Sequence, residues 1–195
     1  MTKGEETKQF IIERSAPIFN TKGIAATAMS DIMEATQLSK GSLYVHFENK
    51  EVLAASAIDY NMGLLTDKVM AAVNRQKSAK DKLFAFVDVF KDPLSPPVTG
   101  GCPMINFGTE ADDTNPIVKS RVNEAFDQAE QTIVNIIQEG IKEGSMNPDW
   151  NYREFATMMF AMIEGGIVIN RVAGNITKMN IIIKNIKKMI TEQLI

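Results

Sequence analysis

Apolar residues recur at intervals of three and four along almost the whole chain, and nowhere in the strict alternation that marks a half-buried strand. That periodicity confines the 195-residue sequence to an all-α fold. Between residues 5 and 21, Phe10, Ile11, Ile12, Ala16, Ile18 and Phe19 share one broad face. Between 50 and 76, Leu53, Ala57, Ile58, Met62, Leu65, Val69 and Val73 form a single stripe. Further helices are expected over 80–90 and 103–111, from Asn115 to about 143, over 152–172, and from Ile176 to Leu194.

The punctuation between these stretches is explicit. Pro17 lies inside the first helix and removes its bond to the Glu13 carbonyl, which predicts a local bend at a cost of about 3 kcal/mol. Gly23 ends that helix. Asn49, Asn115 and Asn151 stand where N-caps are expected, Asn115 being followed by Pro116 at the first helical position. The segment 92–103 holds four prolines and two glycines and reads as a loop. Gly144 stops the helix before it.

Two short helical stretches, 28–36 and 40–46, are separated only by Gln37, Leu38 and Ser39, with Ser39 as the second N-cap. This is a helix-turn-helix pattern. The first short helix packs through Met29, Ile32, Met33 and Ala35. In the second, Leu43 and Phe47 face inward one turn apart, which leaves Ser39, Lys40, Ser42, Tyr44 and His46 outside or at the rim. Such a set supplies donors for phosphates and base edges on an element that fits a major groove. A formal net charge of −3 argues against a non-specific polyanion binder, but the charge is unevenly spread. Residues 1–50 are net neutral, residues 170–195 carry +4, and the segment between carries −7. The N-terminal part is thereby free to meet a polyanion.

The stretch TKGIAATAMSDIMEATQLSKGSLYVHFENKEVL resembles the N-terminal DNA-binding domain of the TetR family of transcriptional regulators, and the likeness is dense over residues 8–55. It rests on Phe19 to Gly23, Thr27, Asp31-Ile32, Ser39 to Tyr44, His46-Phe47 and Lys50-Glu51, in order and at the right spacing. The resemblance implies that Thr27 and Tyr44 contact phosphate, and that His46 and Lys50 grip the DNA backbone. Ser39, Lys40 and Ser42 would reach base edges or nearby phosphates, and Gly41 would let the helix approach the groove closely. Two positions depart from the family pattern. Gln37 stands where the turn usually carries glycine, at a strain of about 1 kcal/mol if its backbone is left-handed. Ala28 replaces the usual capping hydroxyl, with Thr27 as an alternative cap one residue earlier.

The resemblance divides the chain into a helix-turn-helix domain, residues 1–50, and a larger helical ligand-binding and dimerization domain, residues 51–195. The residues support parts of this independently. MMFAMIEGGIVI and IIIKNIKKMI are too apolar for a solvated exterior, and Gly165-Gly166 inside a helix, costing about 1 kcal/mol each, calls for a close helix approach. The last two helices are therefore expected to form a four-helix homodimer interface. Twelve methionines, with little aromatic residue, suit either ordinary helical core or a deformable apolar cavity. The expected cavity lining is Met62, Leu65, Val69, Phe84, Val87, Met104, Phe107, Met158 and Met162. GGCPMINFGTEADDTNP also resembles a stretch of a TetR subgroup. Within it, Cys102 reads as a small buried hydrophobe or a redox-sensitive thiol. Glu110, Asp112 and Asp113 read as companions of a helix N-terminus or as cation ligands.

The reading that joins these features is a homodimeric, ligand-responsive transcriptional repressor. It would bind double-stranded operator DNA at palindromic half-sites and be released by a small, mostly apolar effector that shifts the long helix after residue 50. The alternative is a helical ligand- or protein-binding dimer with lost or weak DNA binding, favoured by Gln37 and Ala28. One histidine and one cysteine leave no nucleophile–base pair, no disulfide and no metal spacing, so neither an enzyme nor a metal or cofactor site is expected. MTKGEETKQF lacks the apolar segment of a secretory signal, and no uninterrupted apolar run reaches the roughly 18 residues of a membrane span. A cytoplasmic protein with no membrane partner is expected.

Overall fold

The computed structural model describes residues 1–195. Nine α-helices follow one another: α1 (Lys3–Lys22), α2 (Met29–Thr36), α3 (Lys40–His46), α4 (Lys50–Val73), α5 (Ala79–Asp88), α6 (Pro103–Ala111), α7 (Pro116–Lys142), α8 (Tyr152–Ala173) and α9 (Thr177–Thr191). There is no strand, only an isolated antiparallel bridge between Met146 and Leu194. The chain divides into two compact units, one of residues Met1–Leu65 with Val98–Asn123, the other of Thr66–Pro97 with Glu124–Ile195.

In the first unit α1 packs against α2, α3 and α6. Ile11, Ala16, Phe19, Ile32, Leu43, Leu53, Ile58 and Phe107 are fully buried there. Each large apolar side chain so buried contributes about 1.5–3 kcal/mol. Helix α1 continues through Pro17 to Lys22, and the Glu13 carbonyl that loses its partner belongs to an exposed residue, where water can serve it. Asn49 and Asn115 cap as expected, accepting from the N–H of Val52 at 2.9 Å and of Val118 at 3.1 Å. Asn20 is buried at the end of α1, and its amide donates to the carbonyls of Thr99 and Gly101 at 2.7 and 3.1 Å. That pair of bonds fastens the end of the proline-rich loop to α1.

In the second unit α9 packs on both α5 and α8. Its core includes Leu83, Val87, Ile133, Ile137, Met159, Ile163, Met179 and Ile186. Phe126 of α7 meets Phe160 of α8 edge to face at 5.6 Å. The two central glycines of α8 differ. A Cβ on Gly166 would lie 3.0–3.1 Å from Ile182 and Met179, so α9 already occupies that close approach within one chain. A Cβ on Gly165 would meet nothing within 4 Å. Asn151 does not cap α8: its backbone (φ −73°, ψ 68°) is not extended, and its side chain makes no cap bond. Conversely, Ile176 cannot cap α9, and the buried Asn170 of α8 does so from outside, its Oδ1 accepting from the Met179 N–H at 3.1 Å. By length and composition α8 could cross a membrane, but half of its most apolar window is buried within the chain. It also carries the buried polar residues Glu164 and Asn170.

Candidate nucleic-acid interface

Helices α2 and α3 are joined by Gln37, Leu38 and Ser39. Gln37 adopts the left-handed conformation (φ 57°, ψ 25°), the only non-glycine residue with positive φ. Its side-chain amide donates to the Glu34 carbonyl at 2.6 Å, which offsets part of the backbone strain. Ser39 is extended and caps α3, its Oγ accepting from the Ser42 N–H at 3.2 Å and lying 3.0 Å from the Ser42 hydroxyl. Leu43 and Phe47 are buried, as their spacing requires. The opposite side is open: Ser39, Lys40, Gly41 and Tyr44 are exposed, while Ser42 and His46 are half-buried. The Lys40 ammonium sits 5.9 Å from the centre of the Tyr44 ring, one turn along, so cation and phenol share a face. A Cβ on Gly41 would meet only the Ser39 hydroxyl, at 4.0 Å. Nothing inside the protein therefore requires glycine there. Val45, 80% exposed, lies two residues from both Leu43 and Phe47 and so on the opposite side of the helix, an apolar side chain on the outer face.

Thr27 and Lys50 occupy a different environment from the α3 face. Thr27 is buried, and its hydroxyl donates to the Gly23 carbonyl at 2.6 Å. That proton is thus not offered to a phosphate in this conformation, nor does Thr27 cap α2. The N-cap is Ala28, whose N–H donates to Asp31 Oδ2 at 3.0 Å but which has no side-chain acceptor to give in return. Lys50 donates its ammonium to the carbonyls of Ile24 and Thr27 at 2.8 and 3.1 Å. Both residues hold the loop between α1 and α2. Lys22 pairs with Asp31 at 2.9 Å, and that bond, with the Ala28 N–H, holds the Asp31 carboxyl below its ordinary pKa.

The acidic residues near α6 do not cluster. Glu110 accepts from the backbone N–H groups of Ile24 and Ala25 at 2.8 and 2.7 Å, a role set by folding between segments more than eighty residues apart and invisible in local sequence. Asp112 ends α6 and accepts from the Asp113 N–H. Cys102 is buried at the start of α6.

The nine residues expected to line an effector cavity are divided between the units. Met62, Leu65, Met104 and Phe107 belong to the first, and Val69, Phe84, Val87, Met158 and Met162 to the second. Leu65, Val69, Val87, Met104 and Phe107 are buried, Met62, Phe84 and Met162 half-buried. Met158 is 43% exposed on the outer side of α8 and does not point inward. Phe84 lines an open pocket of about 420 Å³ with Ala72, Arg75, Gln76, Asp81, Ala85, Asp88 and Val89, a lining that is partly charged rather than apolar.

Comparison with known proteins agrees with this architecture. Residues 11–57 match the family described as bacterial regulatory proteins, tetR family, and residues 79–186 match the tetracyclin repressor-like C-terminal domain. The chain is 35% identical to a TetR-family transcriptional regulator of known structure from Cytophaga hutchinsonii, covering 100% of this chain and 98% of that one with a TM-score of 0.95. A TetR transcriptional regulator from Chloroflexus aurantiacus is 36% identical, with the same coverage and a TM-score of 0.94. Among curated relatives, the helix-turn-helix transcriptional repressor DhaR of a Mycobacterium species is 23% identical over 86% of this chain and 84% of its own length.

Proposed function

Because the chain belongs to the TetR family of transcriptional regulators, a DNA-binding family rather than an enzyme family, we propose that it acts as a homodimeric repressor that releases a palindromic operator when a small, mostly apolar effector binds. Residues 1–50 serve DNA contact and residues 51–195 effector binding and dimerization. The observation that carries the DNA part is the α3 face: exposed Ser39, Lys40 and Tyr44, half-buried Ser42 and His46, and a glycine at position 41 that no neighbour in the protein demands. Ser39, Lys40 and Ser42 meet base edges or phosphates, and Tyr44 and His46 meet phosphate. Thr27 and Lys50 contribute by holding the loop that leads into α2.

Dimerization is supported by the outer side of α8. Met158, Ala161, Gly165, Val168 and Val172 repeat at three and four, and all are exposed in the single chain. Ile181 of α9 is exposed as well, at 58%. Gly165, with open space above it, permits a second copy to approach. In a two-fold dimer the two copies of α3 would enter major grooves about 34–36 Å apart, or a multiple of that. Within the second unit the effector lining is drawn from Val69, Phe84, Val87 and Met162, and not from Met158, which the α8 stripe claims. A regulator that works on chromosomal DNA is placed in the cytoplasm.

Weak DNA binding is the second reading, favoured by the strained Gln37 and the uncapped Ala28. The test is titration of the purified protein against DNA from upstream of its own coding sequence. Tight, salt-sensitive binding by a dimer supports the proposal, and an absence of binding supports the second reading.

A further inference from the structure

We propose that Glu110, seconded by Asn106 one turn before it on α6, is a positioning residue for DNA recognition, holding the loop that aims α2 and α3. The inference rests on the DNA-binding reading above and extends it to a side chain outside the α3 face.

The loop Gly23 to Thr27 has little apolar anchoring of its own, since Ala25 and Ala26 are exposed and Ile24 is half-buried. Polar groups from elsewhere fix it instead. The two Glu110 oxygens take the N–H groups of Ile24 and Ala25 separately, at 2.8 and 2.7 Å. Bonds to an ionised acceptor are roughly twice as strong as neutral ones. The Lys50 ammonium takes the carbonyls of Ile24 and Thr27. An acid thus holds the donors of the loop and a base holds its acceptors. Gly23 makes room: a Cβ there would lie 2.8 Å from Glu110 Oε2, and its φ of +83° disfavours any other residue. Asn106 adds a second attachment on the same side of α6. Its amide lies 2.9 Å from the Asn20 carbonyl, 3.1 Å from Asn20 Oδ1 and 3.1 Å from the Gly100 carbonyl. Helix α6 therefore grips both the last turn of α1 and the loop that follows.

The sign of the effect separates this role from simple electrostatics. Removing a carboxylate from a DNA-binding unit weakens repulsion of a polyanion, so charge alone predicts tighter binding for Glu110→Gln. Loss of positioning predicts weaker binding. The experiment uses the full-length dimer and a duplex that the wild-type protein has enriched from a random-sequence pool, with affinity measured across a salt titration. Glu110→Ala, which removes both charge-assisted hydrogen bonds to the loop, is expected to bind at least about tenfold more weakly. Glu110→Gln, which keeps one acceptor, is expected to fall between Glu110→Ala and wild type. The slope of affinity against salt stays at the wild-type value, because no phosphate contact is removed. Amide exchange at Ile24 and Ala25 speeds up in both variants. Should Glu110→Ala fail to fold, Glu110→Gln decides. Wild-type or tighter binding by a folded Glu110→Gln variant would overturn the inference, as would unchanged exchange at the two amides. Failure of the wild-type protein to enrich any duplex would instead overturn the DNA-binding reading on which it stands.

Discussion

A methyl group at position 41 would touch nothing in the protein but the edge of the Ser39 hydroxyl. Alanine favours a helix over glycine by up to about 1 kcal/mol, so Gly41→Ala should leave the thermal midpoint unchanged or raise it. If α3 enters a groove, the same methyl sits between helix and bases, and DNA affinity should fall while stability does not. Parallel melting and DNA titration check both halves. The opposite case is Ala28, where Asp31 already reaches back to the cap N–H and only the forward bond is missing. Ala28→Ser should add about 1 kcal/mol of stability, read as a higher melting temperature. Residues of this kind are legible in sequence because caps and turns act within three or four positions. Ser39, Asn49 and Asn115 cap where their spacing says, and Gln37 takes the left-handed conformation the turn requires. Asn151 makes no cap bond, its backbone (φ −73°, ψ 68°) lying outside the extended conformation of an N-cap. Lys50 and Glu110 were not legible in their observed partners, since those partners arrive from distant segments, whereas the Thr27 hydroxyl turns back to the Gly23 carbonyl only four residues away.

The helices themselves were read to within a few residues, because a burial stripe with period 3.6 and an explicit stop signal at each end leave little latitude. Their outward faces were harder. Gly165 and Gly166 looked alike in sequence, yet one is pressed by α9 of the same chain and the other faces open space. The apolar excess of α8 divides in the same way: Met159, Ile163 and Ile167 are buried within the unit, while Met158, Val168 and Val172 are exposed. An exposed apolar stripe on a long helix marks an interaction surface rather than a solvated face. Placing glutamates at both Val168 and Val172 should convert a dimer to a monomer with its helical content retained, as seen by sedimentation and circular dichroism. A folded variant that remains dimeric would move the interface elsewhere.

At the scale of the molecule, a net charge of −3 describes no functional surface. The first fifty residues are neutral, residues 170–195 carry +4, and the acidic excess lies between. On the proposed reading, what matters for a polyanion is the placement of a few donors on α3 and the loop that orients them. The two compact units also do not coincide with the functional halves read from sequence, since α6 belongs with α1 in the first unit. Periodicity locates helices but not which distant helices share a core, so that grouping was beyond sequence. The central claim, that α3 meets DNA through a placed cation, is tested most directly by the salt dependence of affinity for an enriched duplex. Wild-type protein should bind with a steep inverse dependence on salt, and Lys40→Ala should bind more weakly with a slope shallower by about 0.9 for each lost phosphate contact. If Lys40 reaches a base edge instead, affinity should still fall, with sequence preference relaxed at one position of each half-site. A Lys40→Ala variant with wild-type affinity, slope and sequence preference would contradict the account.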